Sequence, residues 1–128
     1  MKYELLIIDD DEISVMLTEI LLEDSAFLEK PRTFGDGKYA LEYFKSEYAE
    51  DTKYVVFLDI NMPLMNGWEF LEQIQQFGAK HNIYVFMLSS STDKADIDNS
   101  KNISLVKGYF PKPLKKIHID EIQQYITK

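Results

Sequence analysis

Leu5-Leu6-Ile7-Ile8-Asp9-Asp10-Asp11 sets an unbroken apolar run directly against three successive carboxylates. Such a run is what a strand buried on both faces requires, because successive side chains point to opposite sides of a sheet. Beyond the acids, Ile13, Met16, Leu17, Ile20 and Leu21 recur at helical spacing and predict an amphipathic first helix, with Asp11 as its cap. The same grammar then repeats. Lys30 to Phe34 predicts a short strand, which Pro31 marks as an edge. Gly35-Asp36-Gly37 breaks the chain before a helix carrying Ala40, Leu41, Phe44 and Tyr48. Tyr54 to Leu58 is a second fully apolar strand and ends at Asp59. Asn66 is placed to cap a helix running through Phe70, Leu71, Ile74 and Phe77. Ile83 to Leu88 predicts a fourth strand leading into Ser89-Ser90-Ser91. The segment Thr92 to Asn102 has few apolar residues and predicts the weakest helix, capped by Thr92 or Asp93. Val106 to Phe110 and Leu114 to Ile126 predict a last strand and a last helix, the helix with Ile119, Ile122 and Ile126 on one side.

Apolar strands alternating with amphipathic helices call for a parallel sheet covered on both faces. Repeated in this length, the unit predicts a doubly wound α/β domain, the flavodoxin-like (βα)5 fold with strand order 2-1-3-4-5. A chain of 128 residues has room for one core, and no repeat or linker interrupts it. The expectation is one domain over residues 1–128 with no attached output domain. Apolar runs are far shorter than a membrane span, and the N-terminus lacks signal-peptide anatomy. With no cysteine, the sequence suits a reducing cytoplasm. The net charge of −8, with 14 basic residues nowhere concentrated beyond Lys115-Lys116, argues against direct binding to nucleic acid or an anionic membrane.

In a doubly wound sheet, ligands bind beyond the carboxyl ends of the strands. Asp9, Asp10 and Asp11 follow the first strand, Asp59 the third, Ser89 the fourth and Lys112 the fifth. Each alone has an ordinary explanation as a cap or a solvated loop residue. Together they are different, because strands 1, 3 and 4 are neighbours in the expected order and strand 5 lies beside strand 4. Converging carboxylates repel one another unless a cation is present. Oxygen ligands with no His or Cys beside them favour a hard cation, Mg²⁺ first. Lys112 and Ser89 would add a charge and a donor suited to a phosphoryl group, and Asp59 can act as a nucleophile that forms an acyl phosphate.

These residues carry a resemblance. Leu5 to Asp10, Phe57-Leu58-Asp59-Ile60-Asn61-Met62-Pro63-Leu64-Met65-Asn66-Gly67, Leu88-Ser89-Ser90 and Gly108-Tyr109-Phe110-Pro111-Lys112-Pro113 resemble, in order, the motifs of a receiver domain of bacterial two-component response regulators. The resemblance implies that Asp59 is the phosphoacceptor, supplied by a sensor histidine kinase or a histidine phosphotransfer protein. It implies Mg²⁺ held by Asp10, Asp59 and the Asn61 carbonyl, with Asp9 acting through water. It also implies that Ser89 turns toward the phosphoryl group, that Tyr109 follows it inward, and that Lys112-Pro113 is cis. The surface of helix 4, strand 5 and helix 5 would then be read by a downstream protein partner. Such a domain is no enzyme beyond its own phosphorylation and dephosphorylation.

Other readings fit less well. An aspartyl phosphohydrolase needs a second acid where this chain has Asn61, and an FMN carrier needs a Ser/Thr/Gly-rich loop where it has Asp9, Asp10 and Asp11. A receiver that no longer uses phosphate, serving only as a protein-binding module, is the closer rival. His81 and His118 stand alone and read as solvated or structural. Met62 and Met65 read as packing residues, and Trp68 as half-buried packing beside Asp59. Ser91, neither acid nor amide, offers no strong group to orient a hydrolytic water. The expected result is slow self-dephosphorylation; a phosphoryl lifetime that is short against signalling times contradicts it.

Overall fold

The computed structural model describes residues 2–27, 29–77, 81–90 and 93–127. Its strands are β1 (Lys2–Ile8), β2 (Arg32–Phe34), β3 (Thr52–Asp59), β4 (Ile83–Ser89) and β5 (Val106–Pro111). Between and after them run α1 (Glu12–Glu23), α2 (Gly37–Glu47), α3 (Gly67–Phe77), α4 (Lys94–Lys101) and α5 (Lys116–Thr127). The strands form one sheet in the order β2-β1-β3-β4-β5, and every pairing is parallel. This is the flavodoxin-like order expected from the sequence.

Strand periodicity divides the core into two layers. Leu6, Ile8, Val56, Leu58, Val85 and Met87 face one side, with Ala40, Leu41 and Phe44 of α2 and Phe70, Leu71 and Ile74 of α3. Leu5, Ile7, Val55, Phe57, Phe86 and Leu88 face the other, with Leu22 of α1 and Ile119, Ile122 and Ile126 of α5. Because both faces are covered, the central strands read as continuous apolar runs. Pro31 precedes the edge strand β2, and Pro111 closes the edge strand β5, where a missing backbone donor breaks no interior ladder.

Caps set where the helices begin. Asp11 accepts from the N–H groups of Ile13 and Ser14, at 3.0 and 3.4 Å. Asn66 and Glu69 cap α3 reciprocally, at 2.9 and 3.0 Å. Of the two expected caps of α4, Asp93 accepts from Ala95 N–H at 2.9 Å, while Thr92 lies outside the described residues. His118 has a structural role: its Nδ1 accepts from Lys115 N–H at 3.0 Å at the start of α5.

The first helix corrects one expectation. Its apolar stripe of Ile13, Met16, Leu17 and Ile20 is exposed, at 65, 52, 41 and 54 %. The inward face is instead Val15, Thr18 and Leu22, with Leu21 half-buried. Thr18 is tolerated inside because its hydroxyl donates to Ser14 C=O at 2.9 Å. A helix apolar around more than half its circumference does not announce by spacing which side the sheet takes.

The amino end of the sheet is pinned by polar contacts. The buried Asn82 donates to Ala49 C=O at 3.0 Å and Thr52 C=O at 2.7 Å, and accepts from the Tyr48 hydroxyl. Lys53 of β3 reaches Ile126 C=O at 2.9 Å, its ammonium lying between the rings of Tyr3 and Tyr84. The last turn of α5 is thereby tied to the central strand. Among the described residues, no helix is long and apolar enough to cross a membrane.

Candidate phosphoacceptor site

At the carboxyl ends of β1 and β3, the rows that face α1 and α5 continue from apolar residues into acids. Leu5 and Ile7 lead to Asp9, and Val55 and Phe57 lead to Asp59. Register explains why they meet: Ile8 pairs with Leu58, so Asp9 and Asp59 stand one step further along adjacent strands. Asp10 adds an exposed carboxylate, and one oxygen each from Asp9, Asp10 and Asp59 lie within 4.8 Å of one another. Asp9 and Asp59 are buried, at 3 and 6 % exposure.

Lys112 enters from the end of β5. Its Nζ lies 2.9 Å from Asp9 Oδ2 and 3.2 Å from Asp59 Oδ1. The backbone holds it there: Lys112 N–H donates to Ser89 C=O at 2.9 Å, and Lys112-Pro113 is cis. Ser89 ends β4, is 1 % exposed and pairs in register with Pro111. Tyr109 pairs with Met87 and packs, half-buried, against the α2–α3 layer. The expected residues Asp9, Asp10, Asp59 and Lys112 are thus in one cluster, with Ser89 joined to it through the backbone. Asn61 is exposed on the loop that leaves β3, and Tyr109 lies two residues further back on β5 than Pro111. Ser91 lies outside the described residues.

Electrostatics mark Asp59 as the unusual acid. Burial, and then the charge of Asp9, push its pKa from 3.8 to about 6, against the opposing pull of Lys112. Burial alone would lower the Lys112 ammonium, but its close pairing with the carboxylates of Asp9 and Asp59 outweighs that and holds it above the usual lysine range. A buried carboxylate beside a cationic side chain and two further carboxylates is a chemically perturbed site.

The residues fit a hard divalent cation. Asp9 Oδ2 is buried and accepts no well-directed hydrogen bond, although the Lys112 ammonium is close. The cluster offers carboxylate oxygens and neither imidazole nor thiolate, the donor set of Mg²⁺ rather than Zn²⁺.

Two supporting residues carry roles that sequence reading did not assign. A Cβ at Gly67 would lie 2.6 Å from Asp59 C=O, so α3 starts against the end of β3 only because that side chain is absent. Asp36, which reads in the sequence as a break before α2, also accepts from Leu64 and Met65 N–H in the loop after β3. The Asn-Gly pair before α3 hints at the first. Nothing local signals the second, because the contact spans 28 and 29 residues.

The site and the sheet define a class, and comparison with known proteins gives the same one. The model of the response regulator receiver domain matches residues 5–126, and the chain belongs to that family of two-component signalling. Among solved structures it is similar to a two-component response regulator from Cytophaga hutchinsonii, at 27 % identity and a TM-score of 0.90, covering 99 % of this chain and 98 % of that one. It is similar to the CheY of a CheX-CheY-BeF3-Mg²⁺ complex from Borrelia burgdorferi, at 25 % identity and a TM-score of 0.80, covering 98 and 90 %. A curated relative is the probable methanogenesis regulatory protein FilR2 of Methanothrix harundinacea (strain 6Ac), 28 % identical, covering 94 % of this chain and 81 % of that protein.

Proposed function

We propose that the chain is a phosphorelay switch in which Asp59 accepts a phosphoryl group from the phosphohistidine of a sensor histidine kinase or a histidine phosphotransfer protein. The observation that carries this reading is the Lys112 ammonium 3.2 Å from Asp59 Oδ1, with Asp9 and Asp10 completing a cluster within 4.8 Å. An Asp59 oxygen attacks phosphorus, a P–O bond forms as the P–N bond breaks, and the imidazole leaves and takes up a proton. Lys112 faces the oxygens of the transferred group and Ser89 donates to one of them. Asp10, Asp59 and the Asn61 carbonyl would hold Mg²⁺ directly, and Asp9 through water; the ion supplies neutralisation of charge on the transferring group. The Borrelia complex contains Mg²⁺ and BeF3, which supports the assignment.

Incubation with Mg²⁺ and acetyl phosphate tests the reading. The expected product carries one phosphoryl group, mapped to Asp59 and lost on removal of Mg²⁺ before the reaction. No modification favours the phosphate-independent binding module, and modification elsewhere contradicts the assignment of Asp59.

Output follows from a two-state surface. Ser89 turning toward the phosphoryl group would leave room for Tyr109 to move inward, altering α4, β5 and α5 for a downstream protein. α4 suits such a surface, since Ser100 is its only buried residue. Ser89→Ala is expected to take the stable mimic beryllofluoride while its backbone signals over Val106–Pro111 shift far less than in the wild type. Equal NMR shifts in the two proteins would break the proposed link.

A further inference from the structure

Asp36 lies in the turn between β2 and α2, outside the cluster assigned to phosphoryl chemistry, yet it is only 2 % exposed. Its Oδ1 accepts from Lys38 N–H at 3.0 Å, an ordinary helix cap. The same oxygen also accepts from Met65 N–H at 2.9 Å, and Oδ2 accepts from Leu64 N–H at 2.9 Å. A cap needs one acceptor, which Ser, Thr or Asn supplies. Three N–H donors from two segments, spread over both oxygens, require a carboxylate.

The donors of the loop after β3 can be accounted for completely from Pro63 onward. Pro63 has none. Leu64 and Met65 use Asp36, Asn66 donates to Glu69 Oε1 at 3.0 Å, and Gly67 donates to Ile60 C=O at 2.8 Å. The loop is therefore closed at its base by its own backbone and held at its tip by Asp36. The two segments are also in close contact, since a Cβ at Gly37 would lie 2.8 Å from Met65 C=O.

We propose that Asp36 is a positioning residue for the phosphoacceptor site: through the Leu64 and Met65 amides it fixes the loop that carries Asn61, and so sets the affinity for the cation. The proposal rests on the phosphoacceptor reading, which assigns the Asn61 carbonyl as a ligand. Asp36 itself touches neither cation nor phosphoryl group.

Asp36→Asn isolates this role. Whichever way the amide is turned, its NH₂ replaces one acceptor and faces a backbone N–H. Asp36→Ser keeps a helix-capping oxygen but has only one, so it removes the clamp in a second way. For wild type and both variants the measurements are thermal melting by circular dichroism, amide hydrogen exchange without metal, and Mg²⁺ titration by calorimetry. The expected variants melt cooperatively and exchange the Leu64 or Met65 amide about tenfold faster or more, with the interior of α2 unchanged. Their Mg²⁺ affinity falls about tenfold, and saturating Mg²⁺ restores the phosphorylation rate with acetyl phosphate. A folded Asp36→Asn protein with wild-type Mg²⁺ affinity, or with unaltered exchange at both amides, overturns the inference and leaves the phosphoacceptor reading standing. A wild type that binds no Mg²⁺ overturns both.

Discussion

Asp59→Asn is expected to take up no phosphoryl group and, at the same time, to be more stable than the wild type at neutral pH. Loss of uptake follows from removing the nucleophile. The gain in stability follows from the raised pKa of about 6 against the usual 3.8. Between those values the folded chain retains a proton that the unfolded chain has released, so stability falls as pH rises through the window. Above it, the ionised carboxylate is a net liability in the metal-free protein. The shift corresponds to a stability difference on the order of 1–3 kcal/mol. Asn keeps an oxygen for Lys112, which in turn keeps Asp9. Melting in EDTA at pH 7.5 should show the variant several degrees higher, with the gap closing near pH 4. A less stable variant, or a gap that does not depend on pH, contradicts this account.

Lys112→Ala should move two properties of the site in opposite directions. The ammonium and Mg²⁺ draw on the same carboxylate oxygens, since Nζ sits 2.9 Å from Asp9 and 3.2 Å from Asp59. Without it, Mg²⁺ should bind more tightly, yet phosphoryl transfer should slow by about 10² to 10³-fold because the charge facing the transferred oxygens is gone. In EDTA the variant should lose about 3 kcal/mol, the cost of leaving buried carboxylates without their cation. Added Mg²⁺ should recover part of that by binding the folded state alone. Calorimetry, melting and initial rates measure the three quantities separately. A variant phosphorylated at the wild-type rate removes Lys112 from the chemistry.

Legibility in the sequence followed the range of each interaction. Leu5–Ile8 and Val55–Leu58 announced central strands because burial on both faces leaves no polar positions. Asp9, Asp59 and Lys112 are legible as neighbours because strand order and a parallel register decide which ends adjoin. Local capping at Asp11 and Asn66 was equally plain. Opaque features depended on choices made across the fold. In α1, apolar residues surround so much of the helix that Ile13, Met16, Leu17 and Ile20 could not be told from the packing face of Val15, Thr18 and Leu22. Asp36 looked like punctuation because its second pair of donors arrives from a distant loop. Asn82 gave no sign that Ala49 and Thr52 needed its amide.

The Asn82 amide, bonded to Ala49 and Thr52, and the Lys53 tie to α5 brace the amino end of the sheet. The strands resemble beams clamped at the amino end and loaded at the carboxyl end, where Asp9, Asp10 and Asp59 crowd together. That end is tied instead by groups that answer to charge, Lys112 holding Asp9 and Asp59. A change of charge at Asp59 would therefore be felt first at the rim, while the base keeps its shape. A protein gripping the base would be blind to the proposed switch, and one gripping the rim would not.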